Sequence, residues 1–140
     1  MRSKYNVSSN KSCRTYNGIV FDSEMEMKYY RDVILPKSET GEITAYELQK
    51  KFELQPKFKS NGKTIRAIDY IADFYVVYRD GSTEVVDVKG MPDKVAQIKK
   101  KMFLYKYPEQ KYIWITYVNR QIGWVEYEKA QEMKKRRNVQ

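Results

Sequence analysis

The sequence predicts an α/β domain with a mixed β-sheet, and three observations lead to this fold class. Capped helical segments alternate with strands along the chain. Two strands meet at a tight turn, residues 79–81, and would pair antiparallel. The strand–helix–strand unit over 82–118 has about the length of a parallel crossover. The chain has 140 residues, the size of one domain, and we treat 1–140 as one unit.

The first helix is marked by clear start and stop signals. It opens at Asp22 and Ser23, and Ser23 with Glu26 fits a capping box. We expect it to end at about Leu35, because Pro36 follows. After it, alternation and β-branched residues predict strands, with the bounds 42–58, 64–78 and 82–89. The second of these strands can bend near Ala67.

The second half of the chain contains the crossover helix. This helix is predicted over 93–107, with Asp93 as its cap and Pro108 beyond its end. The strand over 111–118 is apolar enough to be central, and an added helix is predicted over about 125–135. We expect an apolar stripe to pack the crossover helix on the sheet, formed by Val95, Ile98, Met102 and Tyr105.

Composition excludes several function classes. Lys and Arg number 27 against 18 Asp and Glu, and the net charge of +9 points to a nucleic-acid partner. The absence of histidine excludes Ser-His-Asp and Cys-His catalysis and His-based zinc sites. The single cysteine, Cys13, excludes an intrachain disulfide and a Cys-rich zinc site. No apolar run approaches the ~20 residues of a membrane span.

The N-terminal segment and the cysteine usage bear on location. Residues 1–20 are polar and basic, and we interpret them as a partly ordered, mobile arm. They contain no apolar stretch of signal-peptide type. We therefore expect a cytoplasmic protein, since a single cysteine suits a reducing compartment.

The hairpin carries the sharpest functional signal. With a three-residue loop, Tyr78 pairs with Ser82, and counting back places Asp73 opposite Asp87. Opposed side chains share one face and lie about 5 Å apart. Lys89, two residues beyond Asp87, faces the same way. A two-residue loop would instead place the two aspartates on opposite faces.

Two opposed carboxylates within apolar strands favour a bound cation. Mg²⁺ suits them, because it accepts one or two carboxylates together with waters and phosphate oxygens. Lys89 beside such a site could stabilise a phosphoryl transition state. The alternative is a cross-strand ion pair between Asp73 and Lys89 at a sheet edge. Glu84 is an odd number of residues from Asp87, so its side chain lies on the opposite face of the strand, and we interpret it as a surface charge.

The spacing of Asp73 and Asp87-Val88-Lys89 resembles the PD-(D/E)XK nuclease superfamily. A small phage-borne branch of that superfamily is a closer resemblance, because its other motifs also occur in this chain. They are Phe21-Asp22-Ser23 with Glu26, Tyr70-Ile71-Ala72-Asp73-Phe74, Asp87-Val88-Lys89-Gly90, and Tyr107-Pro108.

The resemblance implies a fold, an activity and a site. The fold is a restriction-endonuclease-like core, α-β-β-β-α-β, here with an added C-terminal helix. The activity is Mg²⁺-dependent DNA cleavage, with Mn²⁺ as a substitute, and some members of the branch are Holliday junction resolvases. The implied metal ligands are Asp73, Asp87, Glu26 and the carbonyl of Val88, and Lys89 is the catalytic lysine. Glu26 has an alternative role as a capping residue only.

Basic residues on the last two helices are candidates for DNA contact. In the superfamily a polar residue of the crossover helix often points at the site, and here Gln97 and Lys101 are the candidates. The alternative for each is a solvated helix face. The full set of predicted nucleic-acid contacts is Lys94, Gln97, Lys100, Lys101, Lys134, Lys135 and Arg136.

The resolvase hypothesis implies a homodimer, because a four-way junction is two-fold symmetric and needs two active sites. The first helix and the segment 42–58 are possible interfaces. Two other functions stay open at this point. One is a non-catalytic basic nucleic-acid-binding module, and the other is a nuclease of the same chemistry that acts on ends, flaps or single strands.

Overall fold

The structure is a computed structural model, and it describes residues 10–139. Within the segment that we expected to be an arm, residues 11–20 are folded, because Tyr16 and Ile19 pack against the buried core. Residues 1–9 of that predicted arm lie outside the described residues. The first elements are a 3₁₀ turn, β1 and β2, with the bounds Lys11–Arg14, Thr15–Tyr16 and Ile19–Val20.

The first helix continues past Pro36 to Glu39, so the predicted end at Leu35 is wrong. A π-helical turn precedes Pro36, and in it the Leu35 N–H donates to the Tyr30 carbonyl, five residues back. The wider turn starts a new helical segment at Leu35, where the missing N–H of proline is tolerated. The segments are α1, the π turn and α2, with the bounds Glu24–Tyr29, Tyr30–Ile34 and Leu35–Glu39.

Two predicted N-caps are confirmed. The Ser23 hydroxyl accepts a hydrogen bond from the Glu26 N–H at 3.1 Å. The Asp93 carboxylate accepts one from the Ala96 N–H at 2.8 Å. Each satisfies a donor that the first helical turn leaves without a partner, which is why these helices begin where the sequence predicts.

The remaining elements build the central sheet and its helices. In chain order they are β3 (Ile43–Gln55), β4 (Phe58–Ser60), β5 (Lys63–Ile65), β6 (Ile68–Tyr78), β7 (Thr83–Val88), α3 (Lys94–Lys106), β8 (Tyr112–Tyr117), β9 (Trp124–Glu126) and α4 (Tyr127–Val139). The sheet has the order β3-β6-β7-β8-β9. β7 and β8 are parallel and joined by α3, and the other neighbours are antiparallel. The predicted α/β class with a mixed sheet is confirmed.

Two strand predictions differ from the structure. The long strand predicted over 64–78 is divided at residues 66–67 into β5, which pairs with β4 in a separate hairpin, and β6. The strand β9 occupies residues that we assigned partly to the last helix. Its three residues are too few for an alternating pattern to reveal it.

Helices cover both faces of the sheet. The α1-side core surrounds Phe74 and Val86, and the α3-side core surrounds Val85 and Phe103. Alternate residues of β7 are therefore buried on opposite sides, as expected for a strand with both faces covered. Within residues 10–139, no helix combines the length and the apolar character needed to cross a bilayer.

The helix α3 packs on the sheet with a different side from the one we predicted. Val95, Ile98 and Tyr105 are 53%, 58% and 90% exposed, whereas Phe103 is fully buried. The Phe103 ring lies 4.7 Å from the Tyr112 ring and 5.1 Å from that of Phe52, centroid to centroid. Phe103 has several aromatic partners on the sheet. Of the predicted stripe, only Met102 packs against this core, and the other three residues face solvent.

Candidate active site

The turn between β6 and β7 has the predicted geometry. The Tyr78 N–H donates to the Ser82 carbonyl at 2.8 Å, and the Gly81 N–H donates to the Tyr78 carbonyl at 2.9 Å. Gly81 has a φ of +86°, a conformation that glycine adopts without steric cost. The three-residue loop is therefore confirmed, and with it the register of the hairpin.

The confirmed register brings Asp73 and Asp87 together. Phe74 pairs with Val86, and Asp73 and Asp87 are the next opposed residues. Val86 packs in the α1-side core, so Asp87 points to the α3 side. Asp73 and Asp87 are each 2% exposed. Two carboxylates thus lie buried side by side at the point where β6 and β7 separate.

The two carboxylates accept the hydrogen bonds that join β6 and β7 at this position. The Asp73 N–H donates to Asp87 Oδ1 at 3.2 Å, and the Val88 N–H donates to Asp73 Oδ2 at 2.9 Å. Each side chain therefore accepts from the backbone of the opposite strand. Carboxylate oxygens have two lone pairs each, so these contacts leave room for a further ligand.

Lys89 completes the cluster. Its Nζ lies 2.8 Å from Asp87 Oδ2 and 5.3 Å from the centroid of the Trp114 ring. The Lys89 side chain is 22% exposed, so its ammonium group is at the mouth of the buried pair. The structure thus brings the three predicted residues into contact, with a cation at the solvent side of two acids.

The backbone next to Asp73 is strained. Gln49 of β3 lies opposite Asp73, since its neighbour Leu48 pairs with Phe74, and Gln49 has a φ of 56°. Leu48 packs in the α1-side core but Phe52, of the same parity, packs in the α3-side core. The β3–β6 ribbon therefore turns over at this position. Such strain in a non-glycine residue is frequent at functional sites.

Three aromatic residues beside the aspartates, Tyr70, Tyr112 and Trp114, were not predicted as part of the site. Trp114 Nε1 donates to the Tyr112 hydroxyl at 2.6 Å, which donates to the Tyr70 hydroxyl at 2.9 Å. Burial raises the pKa of Tyr70 well above its ordinary value, and the Asp87 carboxylate adds to this rise. Burial and Asp87 also raise the pKa of Tyr112. Tyr70 lies in a quoted motif, but nothing in the sequence shows which aromatic residues share its face.

The buried tyrosines predict a loss of stability at high pH. Tyrosines of the unfolded chain titrate near pH 10, whereas burial raises the pKa of Tyr70 and Tyr112 and raises that of Tyr30 to about 12. Stability is fully present below pH 10 and falls as the pH rises above it, by roughly 1 kcal/mol per buried phenol per pH unit. Urea unfolding at pH 9, 10 and 11 measures this.

The Tyr70→Phe variant is the control for that measurement. It has one phenol fewer, so its stability should fall less steeply between pH 10 and 11 than that of the wild type. Equal free energies of unfolding at pH 9 and 11 in the wild-type protein would contradict the prediction.

Glu26, the third predicted acidic ligand, is buried in α1. It is 3% exposed, and α1 contacts β7, the strand of Asp87. Among residues 10–139, no group of three His, Cys, Asp or Glu side chains is arranged to hold a metal ion. The acidic donors that the structure brings together are therefore Asp73 and Asp87.

The predicted DNA-contact residues of α3 differ in position. Lys100 lies over Trp114, with its Nζ 4.3 Å from the ring centroid, and pairs with Glu128 of α4 at 3.3 Å. Gln97 and Lys101, which we expected to point at the site, are exposed, as is Lys94. The ammonium groups of Lys100 and Lys89 therefore both lie over the Trp114 ring.

The basic residues of α4 also divide into two groups. Lys134 lines a groove beside Gly90, together with Arg137, which the sequence analysis did not select. Lys135 and Arg136 are exposed and do not line that groove. Helical periodicity separates these neighbours, because residues three apart lie on the same side of a helix.

Glu84 is not a surface charge, so that interpretation is wrong. It is 5% exposed, accepts a hydrogen bond from the Tyr78 hydroxyl at 2.8 Å, and pairs with Lys111 at 2.9 Å. The Glu84 side chain lies on the opposite face of β7 from Asp87, as predicted. That face, which it shares with Val86, is covered by α1. Burial on both faces of β7 explains the difference.

Comparison with protein families adds one finding. The family model described as "Protein of unknown function (DUF1064)" matches residues 2–122. A search of curated proteins finds no match. The matched range contains Glu26, Asp73, Asp87 and Lys89, and it ends before α4. Because the match covers most of the chain, the protein belongs to the DUF1064 family.

Proposed function

We propose that the protein is a Mg²⁺-dependent, structure-selective DNA endonuclease that hydrolyses phosphodiester bonds, most specifically a Holliday junction resolvase. The observation that carries this proposal is the contact between two buried aspartates and a lysine where two strands separate. Structural ion pairs rarely need a second buried carboxylate beside the first, since like charges repel. A cation between the acids accounts for the arrangement.

The donor set fits a hard divalent cation. Asp73 and Asp87 would hold Mg²⁺, or Mn²⁺ in its place, with the Val88 carbonyl and the Glu26 carboxylate as further oxygen donors that the family resemblance suggests. A bound Mg²⁺ supplies Lewis-acid polarisation of phosphate and a more acidic water. Mg²⁺ commonly takes only one or two carboxylates in protein sites, so two adjacent aspartates suffice.

The lysine has a separate role in this proposal. Lys89 holds its ammonium group at the mouth of the site, positioned by Asp87 and by the Trp114 ring. From there it would bind the scissile phosphate and stabilise the charge that develops on it. No histidine is needed for this chemistry, in agreement with the composition.

The element order is consistent with the fold that the resemblance implies. The main elements follow one another in the order α-β-β-β-α-β. They are α1, the antiparallel strands β3, β6 and β7, the helix α3 and the parallel strand β8. The helix α4 is then the added element. This order supports a restriction-endonuclease-like core.

The substrate and the assembly follow from the same proposal. A net charge of +9 favours a polyanion such as DNA. A four-way junction offers two equivalent strands, so paired cuts need a homodimer with two active sites. Sedimentation of the purified protein, alone and with a junction, measures this assembly.

A cleavage assay tests the proposed function. Labelled four-way junction, linear duplex and single strand are incubated with the protein in Mg²⁺, in Mn²⁺ and with a chelator. We expect symmetric cuts confined to the junction, present with either metal and lost with the chelator. Equal cleavage of all substrates would instead indicate a general nuclease. Binding without any cleavage would overturn the proposal in favour of a binding module.

A further inference from the structure

A groove of about 240 Å³ lies between the end of β8, the following loop and α4. Gly90, which directly follows Lys89, lines one end of it, and Lys134 and Arg137 of α4 also line it. The groove therefore adjoins the backbone that carries Lys89. Nothing in the proposed cleavage chemistry uses these residues.

The charge of the groove selects an anionic ligand. Lys134 and Arg137 lie three residues apart on one side of α4, and the described residues that line the groove include no acidic side chain. Asn119 and Gln131 add amide groups that can donate hydrogen bonds. Two cations and two amides around one groove suit a phosphate group.

The size of the groove and its apolar wall further limit which ligand can bind. Pockets that enclose a whole small molecule are typically about 300–1,000 Å³, so a groove of about 240 Å³ suits one unit of a larger ligand. Ile122, Met133 and Tyr127 line it as well, which gives the groove apolar and aromatic surface. Such surface accepts a base that is not paired in a duplex.

We infer that this groove binds one unpaired nucleotide of the DNA strand that passes the active site. Lys134 and Arg137 would hold its phosphate, and the apolar wall would hold its base. This inference rests on the proposed nuclease function and adds a source of selectivity to it. DNA with an unpaired nucleotide beside the cut, as at a single-stranded flap or at a branch whose central base pairs open, would bind better than continuous duplex.

The test compares two double variants that remove the same charge from the same helix. K134A/R137A changes the groove, and K135A/R136A changes neighbours that do not line it. Binding of a labelled duplex, with and without a single-stranded flap, is measured by fluorescence anisotropy with a chelator present, so that no cleavage occurs. Circular dichroism of each variant checks that it folds.

We expect K134A/R137A to weaken binding of the flapped DNA by about tenfold while the duplex is affected much less. The slope of log K against log salt for the flapped DNA should fall by about 0.7, the value for one lost phosphate contact of a single strand. K135A/R136A should weaken both DNAs equally, through charge alone.

The opposite result is equally clear. The inference is overturned if the two double variants lose affinity alike, or if K134A/R137A weakens duplex and flapped DNA to the same extent. This outcome is independent of catalysis, because binding is measured without metal. Failure of the wild-type cleavage assay would reject the nuclease and leave the groove result standing.

Discussion

Replacing Lys89 with alanine is expected to reduce DNA cleavage by at least about 10²-fold and to change DNA affinity much less. Lys89 has its ammonium group at the mouth of the site. In the proposed reaction this group would bind the phosphate whose charge increases. The measurement is single-turnover cleavage of a junction in Mg²⁺, with affinity determined separately by anisotropy in the presence of a chelator.

The Asp87→Asn variant tests DNA cleavage and DNA binding separately. The amide is the same size as the carboxylate and its oxygen can still accept from the Asp73 N–H. Cleavage should be lost, but DNA should bind as well or more tightly, because a negative charge near the phosphate is gone. Lys57→Ala removes an exposed charge far from this cluster in sequence and serves as the control.

Retained cleavage in K89A would contradict the proposed role of the lysine.

The largest expected effect on stability comes from α3. Phe103→Ala should destabilise the protein by about 3–5 kcal/mol, because the ring is fully buried and packs against several aromatic rings. Ile98→Ala should cost less than about 0.5 kcal/mol, since Ile98 is 58% exposed. Guanidinium unfolding of both variants at pH 7 measures the difference in the free energy of unfolding.

This comparison decides between two orientations of the same helix. The periodicity of the sequence favours a packed stripe that contains Ile98, and the structure favours one centred on Phe103. If Ile98→Ala proved as destabilising as Phe103→Ala, the helix would pack with the side that the sequence predicts.

The parts of the fold that local chemistry determines were predictable from the sequence. Gly81 adopts a positive φ in the three-residue loop, and the loop length then determines which residues of β6 and β7 oppose each other. The N-caps at Ser23 and Asp93 are likewise local, because each side chain satisfies a donor three residues away. Asp73, Asp87 and Lys89 could be placed together for this reason alone.

The parts that depend on tertiary packing were not predictable. The rotation of α3 depends on the aromatic rings that Phe103 meets, which come from distant strands. The continuation past Pro36 requires a π turn that the sequence does not mark. The position of Trp114 beside the site depends on the register between the parallel strands β7 and β8. No turn connects these strands directly, so no loop length specifies their pairing.

The hydrogen bonds that Asp73 and Asp87 accept from opposite strands make the site part of the scaffold. In many enzymes, neutralising an acid in the active site relieves strain, and activity is exchanged for stability. Here the acids also join two strands, so truncating either one would loosen the protein and, in the proposed nuclease, abolish cleavage as well. A cleavage-dead protein for trapping bound DNA is therefore better made at Lys89, whose side chain accepts no hydrogen bond from the sheet.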